Sequence, residues 1–216
     1  MLSCCSSFEC AADQQFNRHK VAQELKRYRQ KGPGPTTRML VEGIAQSGAL
    51  SGSVLDVGSG IGALTFALLE RGATSAIAVD ASTAYVGAAR EEAVRRGRAE
   101  AIQFLQADFV DAASQLPSAA VVTLDRVVCC YPSYEQLLGA ALGHAERCLA
   151  LSYPRDAWYV RLGMAIENGL RWLTRNDFRT FLHPVTSIEE TISRAGFRLV
   201  SRRETWVWSA DVYARQ

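Results

Sequence analysis

Val54-Leu-Asp-Val-Gly-Ser-Gly-Ile-Gly62 carries a short apolar run straight into three glycines at alternate positions. An apolar run of that length, stopped by glycine, reads as a buried strand that turns into a helix, here the stretch Leu64 to Leu69. Glycines at 58, 60 and 62 permit a tight turn and let a ligand approach the backbone closely. Further strands are expected at Ala76-Ile-Ala-Val79, ending at Asp80, and at Ala101-Ile-Gln-Phe-Leu105, ending near Asp108. Two more are expected at Ala119–Leu124, ending at Asp125, and at Cys148–Tyr153, before Pro154. Helices are expected over about 83–96, 134–147, 156–171 and 187–195, and the last two strands, around 197–213, suit an antiparallel hairpin. Upstream, the spacing predicts helices over 13–31 and about 37–47, the second capped by Thr36 or Thr37 and separated from the first by Lys31-Gly-Pro-Gly-Pro35.

Strands alternating with helices in this way imply an α/β fold with a doubly wound, Rossmann-like sheet. Seven strands are expected, the C-terminal one antiparallel, together with an N-terminal helical lid. In such sheets ligands bind beyond the carboxyl ends of the strands, where Asp56, Asp80 and Asp108 all fall. The charge at this turn selects the ligand. A dinucleotide would lay its pyrophosphate over the helix N-terminus, and Asp56, two residues before Gly58, would oppose it. S-adenosylmethionine has no phosphate and carries an ammonium and a sulfonium, so the acid favours it as the cofactor. Asp80 is placed to accept from both ribose hydroxyls. Asp108 is placed for the adenine amino group, with Phe109 against the ring. Each acid also suits a plain helix cap, but three at successive strand ends argue for a site.

With these residues assembled, the chain resembles the class I methyltransferases from about residue 36 onward. The set is Asp56-Val-Gly-Ser-Gly-Ile-Gly62, Val79-Asp80, Ala107-Asp108 and the strand exit Leu124-Asp-Arg-Val-Val-Cys-Cys-Tyr-Pro132. Within the class it is most similar to magnesium-protoporphyrin IX O-methyltransferase-like enzymes, through Tyr131-Pro132, Leu149-Ala-Leu-Ser-Tyr153 and Phe181-Leu-His183. It departs from them at Cys130, where they typically carry histidine. The resemblance implies an arm and lid helix over 1–35 and a methyltransferase domain over 36–216. It implies cofactor contacts at Asp56, Gly58, Gly60, Asp80 and Asp108; Ser59, Ala81, Phe109 and Arg126 complete that set. It also makes the N-terminal helix, with Tyr28, a lid.

Methyl transfer mainly demands alignment of nucleophile, methyl and sulfur. Cys130 and Tyr131 are the residues expected nearest the transferred methyl, with His183 as a base or substrate contact. Tyr28, Tyr131 and Trp158 are expected at the substrate, and Tyr159 and Trp172 suit the wall of a flat apolar pocket. Arg155, Arg161 and Arg171 would meet an acidic acceptor. Packing inside the fold is the ordinary role of each of these types.

The 216 residues are 48% hydrophobic and 21% charged with a formal charge of +2, values of a globular domain with no strong pull toward nucleic acid. No apolar run reaches the length of a membrane helix, and the N-terminus lacks the pattern of a secretory signal. A weak contact between the basic helix before Lys31 and an anionic membrane surface is a further expectation. Six cysteines include the vicinal pairs Cys4-Cys5 and Cys129-Cys130, with Cys10 and Cys148 alone. Vicinal pairs are poor disulfides, so a reducing, cytoplasmic setting is expected. The spacing matches no zinc pattern and no metal site is expected, although Cys4, Cys5 and Cys10 folded over Cys129-Cys130 would suit a soft metal.

The sequence thus leads to a methyltransferase acting on a small molecule, as a monomer or homodimer, at an oxygen, nitrogen, carbon or sulfur nucleophile. Three alternatives stay open: cysteine-assisted thiol or metalloid methylation, a nicotinamide-dependent oxidoreductase, and a non-catalytic binding regulator.

Overall fold

The computed structural model describes residues 7–216. Cys4 and Cys5 lie outside the described residues, and with them any part in a cysteine cluster. The arm forms α1 (Ser7–Gln15) and α2 (Arg18–Lys31), followed by α3 (Pro35–Gln46). The single helix expected over 13–31 is broken at Phe16-Asn17, because the Asn17 side chain caps α2 by accepting from the Lys20 amide (3.2 Å). In α3 the cap falls at Gly34, two residues before Thr36 and three before Thr37. Pro35 occupies the first turn after Gly34, which frees Thr37 for another task.

The alternating core follows: β1 (Ser53–Val57), α4 (Ala63–Glu70), β2 (Ser75–Asp80), α5 (Thr83–Arg95), β3 (Ile102–Gln106) and the single turn α6 (Phe109–Ala112). Then come β4 (Ala119–Asp125), α7 (Tyr134–His144), β5 (Ala145–Pro154), α8 (Trp158–Leu173), α9 (Val185–Arg194), β6 (Phe197–Glu204) and β7 (Trp208–Arg215). The seven strands form one sheet in the order β3-β2-β1-β4-β5-β7-β6. All pairs are parallel except those of β7, which runs antiparallel to both neighbours.

Strand residues alternate between two cores. Val54, Cys148 and Ala150 pack with Leu40, Ile44, Phe66 and Leu68 under α3 and α4. Leu55, Leu149 and Leu151 pack with Leu137, Leu138, Ile188 and Ile192 under α7 and α9. The chain leaves β1 toward β2 and β3, then returns to its other side as β4. The switch point therefore lies between β1 and β4, where a doubly wound sheet opens a crevice at its carboxyl edge.

Candidate active site

Strand register places the acids. β1 pairs with β4 so that Asp56 faces Thr123, and β4 pairs with β5 so that Asp125 faces Ser152. Thr123 Oγ1 accordingly donates to Asp56 Oδ1 (2.7 Å), and Thr65 Oγ1 of α4 donates to its Oδ2 (2.5 Å). Asp125 is held in the same manner, by Ser152 Oγ on Oδ1 (2.6 Å) and Thr37 Oγ1 on Oδ2 (2.6 Å). Asp56 is only 1% exposed, so burial lifts its carboxyl to about 6 against the opposing pull of the two threonines. It holds a buried negative charge directly before the turn and is itself tied into the fold.

The turn is left-handed at Gly58 (φ 63°) and at Gly60 (φ 56°). A Cβ on Gly58 would stand 2.4 Å from Val127 Cγ2, so the β4 exit presses on the bare backbone there. On Gly60 the nearest side-chain atom would be 3.8 Å away, leaving that backbone face open. Asp80 closes the turn from β2: its Oδ2 accepts from the Gly60 amide and its Oδ1 from the Ser82 amide, both at 2.8 Å. Burial again lifts its carboxyl to about 6, despite these two donors. At the end of β3, Asp108 Oδ1 accepts from the Val110 amide (3.0 Å), and Tyr131 Oη donates to both carboxylate oxygens (3.1 and 3.2 Å). Burial, with Asp108 beside it, raises the Tyr131 phenol above its ordinary range. Tyr131 therefore stays protonated and positions Asp108.

These groups line one cavity of about 560 Å³, within the range of small-molecule sites. Asp56, Gly58, Ser59, Gly60, Asp80, Ala81, Asp108, Phe109, Arg126, Cys130 and Tyr131, all singled out from the sequence, line it together. Six others do not: Trp172 is exposed, Arg155 pairs with Glu204 (3.2 Å) and Arg161 with Asp156 (2.6 Å), and the other three are turned elsewhere. Tyr28 is buried between α2 and α5, with the Arg96 guanidinium 4.9 Å from its ring. His183 bonds through Nε2 to the Tyr131 carbonyl (3.0 Å) and stacks on Phe181, pinning the stretch before α9 onto the β4 exit. Trp158 points to solvent, 75% exposed.

The arm reaches the cavity through other residues. Phe8, Ala12, Gln15 and Phe16 line it, and Phe8 meets Tyr131 edge-on (4.9 Å) while Glu9 Oε1 accepts from the Asp108 amide (2.7 Å). Glu24 of α2 accepts from Tyr85 Oη (2.5 Å) and faces Arg126 (3.6 Å). The remaining wall comes from α8 and the β6–β7 turn, including Tyr159, Val160, Met164, Arg171 and Val207. Arg171 is buried, bonded to Glu167 (2.5 Å), Asn168 (3.1 Å) and Thr180 (3.3 Å). Neither Glu24 nor the Phe8–Phe16 segment carries a local sequence motif, and only their contacts show them. Cys129 and Cys130 bring their sulfurs to 3.7 Å, and the hydrogen bond with Cys130, with burial, pushes the Cys129 thiol well up. Among the described residues no group of His, Cys, Asp or Glu is arranged to hold a metal.

The donor set tests the cofactor. No cation stands in the glycine turn; Asp56, Asp80 and Asp108 at the strand ends line the crevice around an open backbone face, which suits an adenosyl ligand with positive charge and no phosphate. The sheet has the class I methyltransferase fold, and the cradle suits S-adenosylmethionine as its cofactor. Residues 54–150 match the family described as a methyltransferase domain. Among solved structures the fold is similar to magnesium protoporphyrin IX methyltransferase (ChlM) from Synechocystis PCC 6803 with bound SAH (TM-score 0.72, 20% identity, covering 96% of this chain and 100% of that one). It is also similar to an O-methyltransferase family protein from Burkholderia thailandensis (0.71, 15%, 98% and 64%). A third likeness is to ribosomal protein L11 methylase from Lactobacillus delbrueckii subsp. bulgaricus (0.59, 20%, 86% and 81%). At such identities the likeness is one of fold. No curated protein matches the chain by sequence.

Proposed function

We propose that the protein methylates a small, largely apolar molecule whose nucleophile is already ionised at neutral pH, such as a carboxylate. One observation carries this reading: a single cavity joins the carboxylate-lined cradle to a wall of Tyr159, Val160, Met164 and Val207. Bound S-adenosylmethionine supplies an electrophilic methyl group. The chain's residues hold it, exclude water and orient the acceptor, and positioning of this kind is worth up to about 7–11 kcal/mol.

A proton acceptor is poorly provided. Tyr131 and Cys129 are held protonated, His183 faces the Tyr131 carbonyl, and Glu167 is paired with Arg171. An acceptor that arrives ionised needs no such base, and the Arg171–Glu167 pair lines its side of the cavity. A cavity of about 560 Å³ favours a small molecule over a nucleic acid or a protein, and a cytoplasmic setting accords with the free thiols of Cys10, Cys129, Cys130 and Cys148. Calorimetry with S-adenosylhomocysteine tests the cradle. Asp80→Ala should weaken binding at least tenfold, since charge-assisted hydrogen bonds are worth about 1.5–3 kcal/mol. Unchanged affinity in the folded variant, or binding of NAD in its place, would refute the assignment. Labelled methyl transfer into extract fractions should then mark an organic acid.

A further inference from the structure

An amphipathic helix inside a soluble fold normally hides its apolar face. α8 does not. Its inner side is already packed, with Val160 and Arg171 buried and the Arg171 guanidinium 5.4 Å from the Phe178 ring. Its outer side carries Trp158, Leu162, Ile166, Leu170, Trp172 and Leu173 at roughly helical spacing, all between 54% and 75% exposed. The β6–β7 turn extends this ridge with Trp206, 84% exposed, whose carbonyl accepts from Tyr159 Oη at the start of α8 (2.6 Å). Among the described residues no element covers these side chains, and contiguous apolar surface on this scale marks an interaction site.

The geometry points to a lipid bilayer as the occupant, with α8 lying in the membrane interface. Two observations favour lipid over a second protein surface. First, indoles stand at both ends of the ridge, Trp158 and Trp206 at one and Trp172 at the other, with aliphatic side chains between them. That order suits headgroups at the rim and acyl chains at the centre. Second, cations gather at the C-terminal end of the ridge. Arg175 follows α8, and the Gln14 side chain donates to its carbonyl (3.1 Å) while Gln15 accepts from Asn176 (2.9 Å). These contacts bring the end of α1 alongside, with Arg18 and Lys20 exposed just beyond it at the start of α2. The exposed Asp177, whose amide donates to Gln14 Oε1 (3.1 Å), is the acid beside them. A basic edge beside an apolar, tryptophan-bearing face is the composition of a helix that binds anionic lipid.

The placement also joins membrane to site. Tyr159 and Val207 are partly exposed at the ridge and line the cavity, so apolar surface runs unbroken from outside to inside. Entry of the acceptor from the lipid phase rests on the function proposed above; the docking does not.

Flotation of the full chain with vesicles tests it without turnover. The chain should float with vesicles of phosphatidylcholine containing roughly one third phosphatidylglycerol, and less with phosphatidylcholine alone. Leu162→Glu combined with Ile166→Glu should reduce binding at least tenfold. Both positions are exposed, so the unfolding temperature and the affinity for S-adenosylhomocysteine should not change. Absence of flotation with either vesicle, or equal flotation of the double variant, would overturn the inference. So would a concentration-dependent dimer in sedimentation that the double variant abolishes, since the ridge would then belong to a second copy. Loss of S-adenosylhomocysteine binding with flotation intact would strike the proposed function alone.

Discussion

Gly58 shows how little room the turn leaves. Its φ of 63° is one that side-chain-bearing residues rarely adopt, at a cost of roughly 1–2 kcal/mol. A Cβ there would also meet Val127 Cγ2 at 2.4 Å. Gly58→Ala should therefore displace either the turn or the β4 exit, lowering stability by about 2 kcal/mol in chemical denaturation. It should also weaken S-adenosylhomocysteine more than tenfold. Gly60→Ala, with open space around its Cβ, should lose binding with a smaller change in stability; equal stability losses would contradict this account of the turn. Residues of this kind were legible in the sequence because backbone demands leave a spacing behind. Tyr28, His183 and Trp158 were not, since residue type alone does not say which way a helix or loop turns its aromatic groups. Asp56 and Tyr131 fall between. The sequence marks both, yet their hydrogen-bond partners Thr65, Thr123 and Asp108 come from other elements and show only once those elements are packed.

Between elements, one fully buried acid fastens the arm to α5. Glu92 of α5 has a fully buried side chain and accepts from Arg29 of α2 (2.9 Å) and from Arg95 and Arg96 of its own helix (2.8 Å each). The hydrogen bond from Arg95, supported by Arg96 and Arg29 against burial, holds its carboxyl down at about 2. The lowered pKa gives stability that is complete above about 4.5 and is lost as pH falls toward 2. The half-exposed arginines screen part of it, leaving on the order of 2 kcal/mol. Glu92→Gln should remove about that much at pH 7, and the difference from the parent chain should vanish near pH 2; a constant difference across that range would refute the assignment. Periodicity foresaw the strands and helices of the parallel core, because burial on two faces writes alternating and helical patterns into the sequence. It did not foresee the break at Asn17 or the end of α7 at His144, three residues earlier than expected. A capping side chain decides the first. In the second β5 starts at Ala145, taking up pairing with Ala119 of β4 and winning residues whose own preference is helical. Of the three α8 aromatics expected at the pocket only Tyr159 lines it, while Trp158 and Trp172 face out, since an amphipathic pattern does not reveal which face is outside.

Across the whole molecule, two carboxyls titrate in the opposite sense to Glu92, and both line the cavity. Asp56 and Asp80 are lifted by burial to about 6 from an ordinary value of 3.8. A raised acid penalises the empty fold at every pH above about 6, and the penalty is relieved as pH falls from about 6 to below 3.8. Acidification over that window should therefore stabilise the unliganded protein. Ligand binding follows the other direction. In the site proposed above, ribose hydroxyls on Asp80 and positive charge near Asp56 would both favour the ionised carboxylates, so a protonated site would have to lose its proton before binding. The affinity for S-adenosylhomocysteine should be level above about pH 7 and fall as pH drops below about 6. In that lower window calorimetry in buffers of different ionisation enthalpy should register net proton release. Asp80→Asn should bind weakly at every pH and release fewer protons. If affinity were constant from pH 5 to 8, with no proton released by the parent chain, then Asp80 does not meet the ligand as a carboxylate. The crevice would be negative in charge and yet not be what holds the cofactor.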